Sequence, residues 1–289
     1  MKVRIITGVI SALFAITLLV FTGLGFSGPM GVAISAFSVI AAYELMRVSK
    51  CKNKLMTVCS MVFAGLVPFY ADFGLKKYIP IPASVLIICY VIAMLIIMLK
   101  YYDITKFEHT TLALFGSIAV PCSLSLIFEV RNLSVEFPQY FQRSHCVFFI
   151  LCAMYAAWLS DTFAYFIGSK FGKRKLAPKI SPKKSIEGAV AGVVGTTVVA
   201  VITYFLCDHF YFRLDTVNVW MVILSMLFLT VLGMCGDLSA SVIKRNYGEK
   251  DFGNLFPGHG GVLDRIDSFL FTMPGMYVIL QIGIAIAGK

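Results

Sequence analysis

Charged side chains are scarce in this chain. They make up 14% of its 289 residues, against 59% apolar. With a mean hydropathy of +0.86, that shortage excludes a soluble domain of this length and indicates a polytopic membrane protein. No two of the eight cysteines are spaced Cys-x-x-Cys, and most sit inside apolar runs. A disulfide framework and a zinc site are therefore not implied, and the thiols read as small buried hydrophobes. There is no convincing internal repeat and no low-complexity tail. The lack of an inverted repeat and of paired broken helices weighs against a secondary transporter of an anionic solute. Acids are fewer than bases, giving a formal charge of +10. Because the bases lie in short loops between apolar runs, nucleic-acid binding is a poor reading. Positive cytoplasmic loops explain them first, and attraction of phosphate-bearing ligands or anionic lipid second.

What is present is a succession of apolar runs. A bilayer core takes about 20 residues of helix, and nine candidate spans fit: 5–23, 29–47, 54–72, 81–99, 109–130, 145–168, 187–207, 217–236 and 265–287. The expectation is an all-α polytopic protein with a polar cavity facing the cytoplasm. Met1–Arg4 and the apolar run after them resemble the start of a signal peptide, but further spans follow, so an uncleaved first span is expected. The first two spans also allow a shallow hairpin around "GFSGPM". Pro29 and Pro182 suit helix starts. With the N-terminus in the cytoplasm, every Lys and Arg except Lys76, Lys77, Arg131, Arg143, Arg213 and Lys289 falls on that side, which favours this orientation.

Polar residues cluster in the second half. Asp161 lies inside a span, about 10 Å from its cytoplasmic end at 1.5 Å per residue. Ser160, Ala164, Gly168 and Gly172 recur every fourth residue, a small-residue stripe where another helix can approach. Tyr165 is one turn from Asp161. The acid is either satisfied between helices or lines a polar pocket. In "KRKLAPKISPKKSIEG", residues 173–188, Ser181 is expected to cap a helix, with Pro182 at its first position. Lys183 and Lys184 would then sit in the first turn, against the helix dipole. That makes sense if an anion binds there, although a plain positive loop explains the charge alone.

Farther on, Asp237, Ser241, Lys244 and Arg245 share one face if the helix of span 217–236 continues. An amphipathic surface helix gives the same pattern. The stretch "KDFGNLFPGHGGVLDRIDSF", residues 250–269, sets Gly258, Gly260 and Gly261 around His259, allowing a tight turn and close backbone approach. It also carries Asp251, Asp264, Arg265 and Asp267. Carboxylates at a helix start are favoured by the dipole, but these acids with Asp237 and Asp161 also provide hard oxygen ligands. Facing phosphate-binding cations, they meet the needs of a magnesium-nucleotide site. A lone histidine beside glycines is more often structural than a ligand.

From Ser241 the chain reads Ser-x-Ile-Lys-Arg, four residues, Lys-Asp-x-Gly, two residues, Phe-Pro-x-His-Gly-Gly, two residues, Asp-Arg-x-Asp. This resembles the signature of the phosphatidate cytidylyltransferases, or CDP-diacylglycerol synthases, over residues 241–267. Asp161-Thr162 with Ala164-Tyr165 and Gly168, and Ser181-Pro182-Lys183-Lys184-Ser185 before Glu187-Gly188, also look like the family. The resemblance implies the reaction CTP plus phosphatidate to CDP-diacylglycerol plus pyrophosphate, with Mg²⁺ and room for a second metal ion. It implies a homodimer, and Asp237 and Asp264 as the metal carboxylates. Lys244, Arg245 and Asp267 would join these two as catalytic residues. Ser181, Lys183, Lys184, Ser241, His259, Gly260, Gly261, Arg265 and Asp161 would line the nucleotide and phosphate pocket. Asp267 either orients Arg265 or is a further ligand. Residues 1–140 are expected to be N-terminal spans at the dimer or lipid face, and 141–289 the catalytic region. A bacterial plasma membrane is the expected location. A rival enzyme is another CTP-dependent one, such as a polyprenol kinase. Enzymes that consume CDP-diacylglycerol carry an Asp-Gly-x-x-Ala-Arg segment, absent here.

Overall fold

The computed structural model describes residues 2–25, 28–72, 81–211, 214, 217–258 and 260–287, with side chains from residue 13 onward. His259 lies outside the described residues, as do Phe26 and Ser27 of the "GFSGPM" segment. The helices are α1 (Lys2–Gly23), α2 (Gly28–Val48), α3 (Lys54–Asp72), α4 (Ala83–Lys100), α5 (Phe107–Leu114), α6 (Val120–Glu136), α7 (Arg143–Met154), α8 (Ser160–Phe171), α9 (Ile186–Phe210), α10 (Val219–Asn246), α11 (Leu263–Ile266) and α12 (Phe269–Ala287). One-turn π segments, Phe115–Ala119 and Tyr155–Leu159, join α5 to α6 and α7 to α8. Among the described residues, eight helical stretches are long and apolar enough to cross a membrane, and Leu13–Gly23 of α1 adds a shorter apolar one. Among the described residues the fold is all-α apart from one small hairpin, as expected. The exposed faces are themselves apolar. On α4, Ile88, Ile92, Ile96 and Leu99 are all exposed, at helical spacing, as a lipid-facing stripe should be.

The chain forms two compact units. The first comprises residues 1–128 and 246–265, and the second 129–245 and 266–289. In the first, Met46, Met56, Tyr90, Met94 and Ala113 form a buried cluster. Phe63 stacks on Tyr90 with ring centroids 3.8 Å apart. The Tyr90 hydroxyl donates to Ser117 Oγ at 2.8 Å, so this buried phenol has a partner. Asn53 caps α3 by accepting the Met56 N–H at 3.1 Å. It also donates to Thr105 Oγ1 at 2.9 Å.

In the second unit, α8 and α9 are joined by the hairpin β1 (Lys175–Ala177) and β2 (Ser181–Ser185), paired antiparallel with Lys175 opposite Ser185 and Ala177 opposite Ser181. This corrects the expectation of a helix capped by Ser181, with Pro182 and Lys183–Lys184 in its first turn. Ser181–Ser185 is a strand, and Ser185 caps α9 by accepting the Gly188 N–H at 3.1 Å. Both serines are of a capping type, but the unbroken apolar run begins only after Glu187. Pro182 is tolerated in β2 because a two-stranded ribbon consists only of edges. Glu187, in the first turn of α9, accepts the N–H groups of Lys173 at 3.1 Å and Arg174 at 3.2 Å, which ties the hairpin to the helix.

The small-residue stripe of α8 is covered by α9. A Cβ on Gly188 would lie 2.7 Å from the Ala164 carbonyl oxygen, and one on Gly192 2.9 Å from that of Ser160. The stripe therefore packs against protein, and lipid chains do not occupy it. Gly188→Ala is expected to lower the thermal unfolding temperature in detergent, at a cost of about 1–3 kcal/mol for overpacking a close-packed site. Gly28→Ala is the control, because a Cβ there meets nothing within 4 Å. Equal melting temperatures for Gly188→Ala and the parent would contradict the close packing.

Candidate active site

The second unit gathers charge around one lysine. β2 carries Lys184, α8 carries Asp161 and α10 carries Asp237. The Lys184 ammonium lies 3.5 Å from Asp161 Oδ1 and forms a shorter ion pair with Asp237 Oδ2. The three side chains are 23% (Lys184), 49% (Asp161) and 19% (Asp237) exposed. Burial by itself would draw the Lys184 pKa down. Asp161 and Asp237, the hydrogen bond to Asp237, and Asp267 outweigh it, so the pKa is raised from its ordinary 10.5. Asp267 and Lys244 are both 7% exposed. Asp267 faces Asp237, Lys244 and Asp161 electrostatically, and its Oδ1 accepts the Ser268 N–H at 2.7 Å. Three carboxylates and two ammoniums thus share one neighbourhood.

A cavity of about 320 Å³ opens beside this cluster, and its wall includes Asp161, Tyr165, Ser181, Lys183, Lys184 and Asp237. The condition that the helix of span 217–236 continue is met: α10 runs unbroken to Asn246. Ser241 and Lys244 are buried on it, while Arg245 is exposed. The charges come together because a strand, rather than a helix start, delivers Lys183 and Lys184. Chemically, the cavity presents ammonium groups to an anion and carboxylates to its counter-cation. Among the described residues, no three of His, Cys, Asp and Glu converge closely enough to hold a metal ion.

In the first unit, the signature loop is held by two carboxylates. Asp264 Oδ2 accepts the N–H groups of Phe252 at 2.7 Å and Gly261 at 2.9 Å. Glu44 of α2 accepts those of Val262 at 2.9 Å and Leu263 at 2.8 Å. The Phe256 N–H donates to the Gly260 carbonyl at 2.9 Å, closing a short turn. Gly258 and Gly260 have φ of 79° and 84°, which a side chain rarely adopts. A Cβ on Gly260 would also lie 2.7 Å from Asp264 Oδ2. Asp251 and Arg265 are exposed. Of the two expected metal carboxylates, Asp237 belongs to the second unit and Asp264 to the first. Glu44 was not among the expected site residues. Its signal in the sequence was a lone acid inside an apolar run.

With this geometry in view, comparison with known proteins identifies the class. The model of the cytidylyltransferase family matches residues 2–283, and the chain belongs to that family. It is 32% identical to the phosphatidate cytidylyltransferase of Bacillus subtilis (strain 168) over 290 residues, covering 98% of each chain. It is 31% identical to the phosphatidate cytidylyltransferase of Staphylococcus haemolyticus (strain JCSC1435), covering 97% of this chain and 99% of that one. That of Staphylococcus aureus (strain COL) is likewise 31% identical, with the same coverage.

The Lys184 cluster sets a pH dependence. A lysine pKa raised on folding stabilises fully below the unfolded value of 10.5, and the contribution is lost as pH climbs through the folded value. Unfolding temperatures in detergent should therefore show no loss from this group between about pH 7 and 10, and a decline above that range. Lys184→Gln should remove part of that alkaline decline. An identical alkaline limb in parent and variant would refute the pairing.

Proposed function

We propose that this chain is a phosphatidate cytidylyltransferase, an enzyme that converts CTP and phosphatidate to CDP-diacylglycerol and pyrophosphate within a lipid bilayer. The observation that carries the reading is the signature over residues 241–267, in a chain matched almost end to end by relatives of that name. The cavity walled by Lys183, Lys184 and Asp237 supports it physically, because both substrates are polyanions.

A phosphate oxygen of phosphatidate attacks the α-phosphorus of CTP. A new P–O bond forms, the α–β phosphoanhydride bond breaks, and its electron pair leaves with pyrophosphate. A phosphate oxygen is nucleophilic near neutral pH, so no strong general base is needed. Mutual repulsion of the reactants is the main obstacle. Lys183, Lys184 and Lys244 offset it, with Arg245 and Arg265 as exposed cations for the outer phosphates. In-line alignment in a fixed pocket supplies much of the remaining rate. Ser181 and Ser241 are hydroxyl partners for phosphate or ribose, and His259 is assigned to positioning. Asp161 and Asp267 orient the lysines.

Magnesium is part of the proposal, with Asp237 and Asp264 as the residues that would hold it and room for a second ion. Asp237 brings a carboxylate to the cavity wall, where its Oδ2 is paired with the Lys184 ammonium. Asp264 commits Oδ2 to two backbone N–H groups. The ion, when bound, withdraws charge from phosphate oxygens. A homodimer, a bacterial plasma membrane and a cytoplasm-facing site also belong to the proposal. The excess of Lys and Arg in loops assigned to the cytoplasm supports that orientation. The proposed catalytic region is residues 141–289, with spans 1–140 at the dimer or lipid face.

Purified protein given CTP, Mg²⁺ and short-chain phosphatidate should release pyrophosphate and move label from the α-phosphate of CTP into lipid. Label entering lipid from the γ-phosphate would make it a kinase, and no transfer with any divalent metal would end the reading. Asp237→Asn should lower turnover at least about 100-fold, and chelation should abolish it until Mg²⁺ is restored. Near-normal turnover of Asp237→Asn would remove that residue from the chemistry.

A further inference from the structure

Nothing in the mechanism above uses Glu44, yet the loop that defines the signature is anchored on it. The residue lies near the C-terminal end of α2 and is 3% exposed. A carboxylate buried in an apolar helix is costly, and a hydrophobe of similar size would serve packing as well or better. The acid must therefore provide something a hydrophobe cannot. It provides two fixed acceptors: Oε1 takes the Val262 N–H at 2.9 Å and Oε2 the Leu263 N–H at 2.8 Å. The loop is shaped to reach it. A Cβ on Gly253 or on Gly261 would collide with the Glu44 carboxylate, so both glycines leave the space the acid fills. Asp264 takes the N–H groups of Phe252 and Gly261 in the same loop. Four backbone donors of residues 252–263 are thus captured by two acids from opposite ends of the sequence. Val262 and Leu263 cannot offer the same N–H groups to a phosphate while Glu44 holds them.

We propose that Glu44 is a positioning residue for the cytidylyl transfer, acting through the backbone of Gly261–Leu263 to set where Asp264 and Arg265 begin. The proposal rests on the reading of the chain as a cytidylyltransferase. It makes an N-terminal span part of the reaction machinery, although the signature lies more than two hundred residues away.

The test compares parent, Glu44→Gln and Glu44→Asp as full-length proteins in detergent, by amide hydrogen exchange and by steady-state kinetics. Gln keeps one acceptor and turns an amide donor toward the other N–H. Exchange should accelerate in peptides spanning residues 252–264 and stay unchanged elsewhere. Turnover should fall about 10- to 100-fold, the scale of a misplacement of about 1 Å, with KM for CTP and phosphatidate within about threefold of the parent. Glu44→Asp, which keeps both acceptors, should recover part of the loss. Unchanged exchange in 252–264 overturns the proposal, as does parental turnover. A rise in exchange throughout both units together with a collapse in unfolding temperature assigns Glu44 to general stability and also overturns it. If the parent itself releases no pyrophosphate, the cytidylyltransferase reading fails, while the exchange data still decide whether Glu44 holds the loop.

Discussion

The ion pair between Lys184 and Asp237 is the constraint on which the polar cluster of the second unit depends. An isolated charge among apolar helices is costly, and it persists where geometry supplies partners. Here the partners come from separate elements. Asp161 is placed by α8, Asp237 by the polar end of α10, and Lys184 by a short strand paired with the other arm of its hairpin. The hairpin is steadied in turn by Glu187, which accepts N–H groups of Lys173 and Arg174. The close seam of α8 on α9 at Gly188 and Gly192 brings α8, which carries Asp161, against the helix that follows Lys184. Packing of the smallest residues in the unit and placement of its most polar ones are thus one design.

The same economy governs the signature loop. Glycines that accept positive φ let the backbone turn sharply, but a glycine loop alone is a poor platform, because its freedom must be lost before it can position anything. Two buried carboxylates remove that freedom by taking four backbone N–H groups. The acids differ in use: Asp237 and Asp161 of the second unit pair with Lys184, Asp267 also accepts a backbone N–H, and Glu44 and Asp264 of the first unit hold the signature loop.

Much of this was legible in the chain itself. Apolar runs located the membrane helices to within a few residues, since length and hydropathy are set by the bilayer rather than by tertiary context. The shared face of Asp237, Ser241 and Lys244 was legible only on the condition that the helix continue, and α10 meets that condition. The hairpin at 175–185 was not legible. Ser181 and Ser185 are both capping residue types, and the register with β1 and the start of the apolar run after Glu187 separate them. Glu44 escaped for a different reason. Its role is written in contacts more than two hundred residues distant, and within its own span it is a single acid without pattern. The small-residue stripe was visible as a place of close approach, but not which surface approaches it, because α9 shows that complement only once folded.

The central claim is that Lys184 and Asp237 act as one unit in the transfer. A double-mutant cycle on CTP-dependent pyrophosphate release, with Lys184→Gln, Asp237→Asn and the double variant, measures it directly. The account predicts that the double variant is little worse than the more damaged single one, leaving a coupling energy well above the few tenths of a kcal/mol seen for independent sites, roughly 0.5–3 kcal/mol. Losses that simply multiply would show two independent residues and contradict the account.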